Sequence, residues 1–323
     1  MDFLKNFTAA VLPHAVLGAA MSAKSRLRGR MILPAYVRQI RHDFPELHFE
    51  QARLIDSGLE NIVVVLDDKW IFRFPRSEWR RLAFAHELQL LMLLRERTGI
   101  ALPDYRYVTP GARFGGYPML KGEPLDIETF QSISEDGRCK VIEQFVNFLN
   151  ALHSLGPVLL QDGKPHRGAS KQDFATIYFD QQRRLFDYRL DRSLVERIDR
   201  FFAAYAAPET HPERLVHGDI DDHHLLLDRQ SERLGVIDFG DAAVGDPAMD
   251  FAFLFTLPEW AAPHAFSRYA FLAGDPELPK RALRHSVRFA VSRLWNCLRH
   301  EGHPRALTYT ADVLKTQLAL LGA

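Results

Sequence analysis

Cysteine is scarce in this chain: only Cys139 and Cys297 occur among 323 residues, and they form neither a CxxC pair nor a metal-ligand spacing. That usage fits a reducing cytoplasm. Net charge is absent too, with 41 basic and 41 acidic residues, so no global field draws the protein to nucleic acid or an anionic membrane. There is no GxGxxG and no GxxxxGK[ST], which argues against a dinucleotide Rossmann unit or a P-loop enzyme. No internal repeat or low-complexity tract appears. The apolar run Thr8 to Met21 is too short to span a bilayer and is interrupted by Pro13 and His14. It reads as a helical extension or an upstream start rather than a secretory signal, with the folded unit beginning near Met31.

What is present is ordinary globular material, 47% hydrophobic and 25% charged, and long enough for two lobes. Leu54 to Leu66 and Trp70 to Phe74 read as strands joined at Asp67-Asp68-Lys69, because Val63, Val64, Val65, Ile71 and Phe72 supply β-branched and aromatic character. Arg80 to Arg97 follows with Leu82, Ala85, Leu88 and Leu91 at helical spacing. After the Gly/Pro-rich segment Thr109 to Pro118, Arg138 to Leu155 places Val141, Phe145, Phe148, Leu149 and Leu152 on one buried helix face. Ser193 to Tyr205 reads as another helix. Leu225 to Leu227 and Gly235 to Ile237 read as short strands, and Asp246-Pro247 as an N-cap with proline at the first position of a helix running through Phe251 and Leu254.

The chemistry concentrates between Leu215 and Leu254. His217-Gly218-Asp219 opens a loop that runs to His224, and Asp238-Phe239-Gly240 follows 19 residues after Asp219. Two acidic motifs in this order and at this spacing match what phosphoryl transfer from a nucleotide needs: one carboxylate for the proton of the attacking hydroxyl, another for Mg²⁺ against the phosphates. Each aspartate also has a plainer reading, Asp219 as a turn residue between strands and Asp238 as an Asx-turn before Gly240.

On these motifs the chain resembles the aminoglycoside phosphotransferases, a kinase-like group that also includes macrolide and choline kinases. The run IDFGDAAVGDP and His224, where protein kinases carry asparagine, look most like the aminoglycoside 2″-phosphotransferases. Macrolide phosphotransferases also carry histidine there but usually have tryptophan at the position of Phe239. The resemblance covers roughly residues 31 to 323. It implies an α+β, two-lobed protein-kinase-like fold, with a small β-sheet N-lobe over residues 31–120 and a mainly helical C-lobe over 121–323. Residues 1–30 form an N-terminal extension.

The resemblance also assigns roles. Asp219 is the catalytic base, and Asp238 with His224 holds Mg²⁺, His224 being otherwise a structural hydrogen-bonding residue. Arg73 stands where the kinase pattern has its phosphate-binding lysine, with Glu87 as its partner; a guanidinium differs from an ammonium in reach and fork geometry. Ser57 and Gly58 would cover the phosphates, and backbone groups from Pro118 to Leu120 would meet the purine of ATP or GTP at the interlobe hinge. Asp246 and Asp250 are given structural work, capping a helix and bracing the catalytic loop.

The acceptor is expected to be a hydroxyl of a small molecule, with an aminoglycoside leading and a macrolide or another metabolite next. Asp221, Asp222 and Glu259 are the candidate residues for a cationic acceptor. Against that stands the stretch from Phe251 to Ala323, which carries nine Lys/Arg and five acids; Arg281, Arg284 and Arg288 read there as a solvated helix face opposite Val287, Val291, Leu294 and Leu298. A catalytically silent nucleotide-binding module is the rival from another class. A protein kinase is disfavoured because no APE element follows Asp238.

Overall fold

The computed structural model of the protein describes residues 23–55, 61–157, 167–207, 209–299 and 304–322. In its first part β1 (Ala52–Ile55), β2 (Asn61–Leu66), β3 (Trp70–Pro75), β4 (Tyr107–Val108) and β5 (Gly115–Pro118) make an antiparallel sheet in the order β1-β2-β3-β5-β4. The β2–β3 turn works because Asp67 and Asp68 both take φ of 49°, a left-handed conformation that aspartate tolerates better than most residues. Phe72, Phe114 and Val64 are fully buried, and Phe74 stacks on Phe114 with centroids 4.3 Å apart. Gly116 lets β5 lie against Phe72, since a Cβ there would come within 2.5 Å of the ring. The helix Ala23–Asp43 lays Ile40 into this cluster, so the division expected at residue 31 falls inside one helix.

The helix Glu78–Arg95 starts at Ser77, whose hydroxyl accepts the Arg80 N–H at 3.3 Å. It carries Glu87 on its buried face together with Leu90, Leu91 and Leu94.

A second sheet orders β6 (Glu123–Pro124), β8 (Leu225–Asp228) and β9 (Arg233–Val236) as β6-β8-β9, while β7 (Arg214–Val216) pairs with β10 (Ala243–Gly245). The chain passes from β5 to β6 through residues 119–122. Ala101 ties the parts a second time, donating to the Leu234 carbonyl at 2.8 Å and accepting from Val236 at 2.9 Å. The rest is mainly helical. Glu135–His153 buries Val141, Phe145, Phe148, Leu149 and Leu152 against the second sheet's core. Lys171–Ile177, Arg183–Arg189, Arg192–Tyr205, Leu278–Arg299 and Pro304–Leu320 build a separate cluster in which Tyr178 stacks on Phe202 at 4.3 Å. A small sheet lobe beside a mainly helical lobe is the α+β arrangement that the sequence pattern predicts. Among the described residues no helix is long and apolar enough to cross a membrane.

One element differs. Asp246 does cap the next segment, accepting the Ala248 N–H at 3.0 Å, with Pro247 in the first turn. Yet Pro247–Thr256 winds as 3₁₀ turns and not as an α-helix. Apolar side chains buried almost throughout that segment, from Ala248 to Leu254, override helical periodicity.

Candidate active site

The cluster is built on β3, the helix Glu78–Arg95 and the two motif loops. Arg73 leaves the middle of β3 at 5% exposure; its Nη1 donates to Glu87 Oε1 at 2.7 Å and its Nη2 to Asp238 Oδ1 at 2.5 Å. Tyr105 closes this group by donating to Glu87 Oε1 at 3.2 Å. Burial pushes Glu87 up to about 7, with Arg73 pulling the other way. Asp238 sits just past β9 with φ of 65°, a left-handed non-glycine conformation of the kind that strained functional loops retain. Burial opposes its ionisation, but Arg73, His224 and His217 outweigh it and hold the carboxyl at about 2.

The catalytic loop is held from below. Asp250, fully buried, accepts the backbone N–H of His217 on Oδ2 at 2.8 Å and that of Gly218 on Oδ1 at 2.9 Å, and His153 Nε2 meets Oδ2 at 3.0 Å. Gly218 has φ of 85°, and a Cβ there would meet the Asp241 carbonyl at 2.9 Å, so the position requires glycine. The His217 ring donates from Nε2 to the Ile237 carbonyl at 3.1 Å, linking this loop to the residue before Asp238. Burial lowers the pKa of His217, which suits that neutral donor.

Asp219 projects from this brace with its side chain 29% exposed. Burial, with Asp241, Asp221 and Asp238 nearby, pushes its carboxyl up to about 7 against the opposing pull of His224. A base poised near neutrality is suited to taking a hydroxyl proton. His224 Nδ1 donates to the Asp219 carbonyl at 2.6 Å, and Nε2 faces Asp238 Oδ2 at 3.8 Å. Burial alone would lower its pKa, but Asp221, Asp219 and Asp238 outweigh that and raise it to about 10. Five of the sequence-predicted residues, Arg73, Glu87, Asp219, His224 and Asp238, therefore meet in one cluster.

The residues present suit a hard divalent ion. Arg73 occupies Asp238 Oδ1, leaving Oδ2 opposite His224 Nε2, and among the described residues no three His, Cys, Asp or Glu side chains form a closed metal cage. Mg²⁺ is ordinarily held by one or two carboxylates with water and phosphate oxygens completing its shell.

The remaining candidates are placed as follows. Ser57 and Gly58 lie outside the described residues. Pro118 ends β5 opposite Trp70, the following Met119 N–H donates to the Lys69 carbonyl at 2.8 Å, and Leu120 is half-buried against Gly235. Asp221, Asp222 and Glu259 differ in their surroundings. Asp221 turns inward at 6% exposure, accepting the N–H groups of His223 at 2.8 Å and His224 at 3.1 Å. Asp222 pairs with Arg293, which also approaches Asp221 at 3.6 Å, and Glu259 is exposed on the turn before the helix Ala261–Phe266.

The solvated face expected of Arg281, Arg284 and Arg288 is buried at Arg281 and Arg288 and only partly exposed at Arg284. Arg281 is 1% exposed, with Nε 3.0 Å from Asp246 and a two-pronged contact to Asp275 at 2.8 and 2.6 Å. Arg284 pairs with Glu209 at 3.0 Å, and Arg288 is 2% exposed. Sequence reasoning also missed Tyr105 and the Arg80–Asp241 pair at 3.0 Å. Asp241 carried a signal in directly following Gly240; Tyr105 carried none.

A partly exposed carboxylate on a braced loop, a second carboxylate at a strand end and an Arg–Glu pair between sheet and helix are the arrangement expected of a kinase-like phosphotransferase. Residues 51–284 match the family described as APH, phosphotransferase enzyme family, and the chain belongs to it. It is 27% identical over 260 residues to the uncharacterized protein YcbJ of Bacillus subtilis (strain 168), covering 72% of this chain and 79% of that one. Among solved structures it is similar to the GDP and kanamycin complex of APH(2")-IIia, with a TM-score of 0.69 and 23% identity over 88% of this chain and 99% of the other. Macrolide 2'-phosphotransferase type I is also similar, with a TM-score of 0.55 and 22% identity over 90% and 97% of the two chains. At these identities the solved structures speak for the fold.

Proposed function

We propose that the protein transfers the γ-phosphoryl group of ATP or GTP to a hydroxyl of a small molecule in a Mg²⁺-dependent reaction. The observation that carries this reading is the meeting of Asp219, His224, Asp238, Arg73 and Glu87 in one cluster. Asp219 orients the acceptor hydroxyl and takes its proton as the oxygen bonds to the γ-phosphorus. The bond from that phosphorus to the bridging oxygen breaks, and the nucleoside diphosphate leaves. Asp238 Oδ2 would hold Mg²⁺, which when bound neutralises charge on the phosphates; His224, held protonated by the surrounding carboxylates, would join it only by giving up its Nε2 proton and is otherwise the hydrogen-bonding residue beside it. Arg73, fixed by Glu87, presents its guanidinium to the phosphates, and the backbone from Pro118 to Leu120 meets the purine.

The nucleotide thus belongs to the lobe of residues 31–120 and the acceptor to residues 121–323. Solved relatives bound to GDP and to ADP support a nucleotide donor. The free thiols of Cys139 and Cys297 suit a reducing cytoplasm where such nucleotides are available. An aminoglycoside acceptor has the support of similar solved structures that hold kanamycin, gentamicin and streptomycin. Asp221 and Asp222, on which a cationic ligand would depend, are tied to Arg293.

The test is metal-dependent release of ADP or GDP by the wild type and by Asp219→Asn. The variant is expected to lose roughly 10²–10⁴-fold in turnover while keeping its nucleotide affinity. Turnover within a few-fold of wild type would remove Asp219 from this role.

A further inference from the structure

A cavity of about 460 Å³ opens beside the catalytic loop, where Gly218 and Asp241 line it along with Trp79 and Phe174. Four carboxylates are among its described lining residues, and each already meets an internal cation. Glu209 has Lys171 at 2.5 Å and Arg284 at 3.0 Å, and Glu213 has Arg167 at 2.6 Å. Asp241 has Arg80 at 3.0 Å, and Asp246 has Arg281 at 3.0 Å and His285 at 3.1 Å. A polyamine entering here would find these four carboxylates already paired, three of them with partly or fully buried cations and Glu213 with the exposed Arg167.

Among the described residues, Arg288 has no such partner. Arg288 lies one turn beyond His285 on the helix Leu278–Arg299, with its guanidinium carbon 4.0 Å from the Phe174 ring centroid and 3.6 Å from that of Phe289. Phe174 and His285 both line the cavity, and Arg288 lies behind them, 2% exposed. Arg288 Nε and Nη2 are buried without a hydrogen-bond partner, and among the described residues no carboxylate lies within ion-pair distance. Burial lowers its pKa. Aromatic faces offset part of the cost of burying a guanidinium, but its N–H fork still needs acceptors.

We propose that the acceptor carries an oxyanion, a carboxylate or a phosphate, and that Arg288 binds it while Asp219 engages the hydroxyl. The inference rests on the phosphotransferase reading and narrows its substrate class. The planar fork of arginine matches both oxyanions with two parallel hydrogen bonds, and the cavity walled by Phe174 and His285 gives the rest of the molecule its room.

The experiment measures ADP or GDP release with Mg²⁺ and probes in three charge classes: glycerate and glucose 6-phosphate, glycerol and glucose, and kanamycin. Turnover is expected in the first class, with a carboxylate preference or a phosphate preference deciding which oxyanion is read. Arg288→Met should raise the KM of those acceptors roughly 10–100-fold with nucleotide KM unchanged. It should also raise Tm, because an unpaired buried cation gives way to an apolar chain of similar length. Arg288→Lys should fall between, keeping the charge but not the fork. Turnover confined to the uncharged probes or kanamycin overturns the inference and leaves the phosphotransferase reading standing. An unchanged acceptor KM or a lowered Tm in Arg288→Met also overturns it, the latter by making Arg288 a structural residue. Absence of nucleotide turnover with every probe removes the phosphotransferase reading and this inference with it.

Discussion

Asp250→Asn exchanges one buried carboxylate oxygen for an amide nitrogen, and the structure fixes which bond is lost. Oδ2 receives both the His217 N–H and His153 Nε2, whereas Oδ1 receives the Gly218 N–H alone. The amide therefore keeps its oxygen at the doubly used site and turns its NH₂ toward Gly218, donor against donor. A charge-assisted bond disappears and two donors face each other without water, at a cost of about 2–4 kcal/mol. Gly218, at φ of 85°, has no side chain to restrain it and directly precedes Asp219. A base displaced by about 1 Å loses roughly 10²-fold in rate. Urea unfolding and ADP release measure the two effects on one sample: the midpoint should fall with the m-value unchanged, and turnover should fall with nucleotide affinity kept. A variant within about 0.5 kcal/mol of wild type in stability, turning over normally, would refute the claim that Asp250 braces the loop.

Three further outcomes are expected. Asp238→Ala should abolish the Mg²⁺ dependence of nucleotide binding, read by titrating Mg²⁺ against a fluorescent nucleotide; an unchanged dependence would remove Asp238 from the metal role. A chain beginning at Met31 should fold with a Tm close to that of the full chain, since Ile32, Leu33, Tyr36 and Ile40 all remain on the first sheet's core; aggregation would show that the preceding residues are needed. Burial opposes ionisation of Asp246, but His285 and Arg281 outweigh it and hold its carboxyl below the usual carboxylate range. A depressed folded pKa contributes stability above the unfolded value of about 3.9 that is lost as pH falls toward the folded value. Wild type should accordingly lose urea resistance below about pH 4 more steeply than Asp246→Asn, and parallel pH curves would contradict this.

The parts of the site that the sequence disclosed are those that sit at fixed offsets along the chain. Asp219, His224 and Asp238 belong to motifs, and Arg73 and Glu87 follow from counting along one strand and the next helix. The buried face of Glu135–His153 was equally legible because its apolar spacing has one solution. Partners drawn from distant segments left no such trace. Arg80 reaches Asp241 across 161 positions and Arg293 reaches Asp222 across 71, so the pairing exists only once the lobes have folded. The 3₁₀ winding of Pro247–Thr256 was hidden for a related reason: its apolar content suits either helix type, and the segment packs against the distant helix Leu278–Arg299.

Charge is where counting residues misled most, and the reason bears on the acceptor. With no net charge in the whole chain, the sign of any cleft depends on which charge remains unpaired after folding. The basic excess after Phe251 looks like a repulsive wall for a cationic ligand. Yet Arg281 is absorbed by Asp246 and Asp275, Arg284 by Glu209, and Arg293 by Asp222 and Asp221. These pairings also neutralise the carboxylates that would have attracted such a ligand. Among the described residues Arg288 stays unpaired near the cavity, stacked between Phe174 and Phe289 and without an acceptor for Nε or Nη2. Selectivity for the acceptor should then be insensitive to exchanging exposed charges such as Arg268 or Lys315 and should move with residue 288 alone, because screening by solvent mutes the first and burial preserves the second.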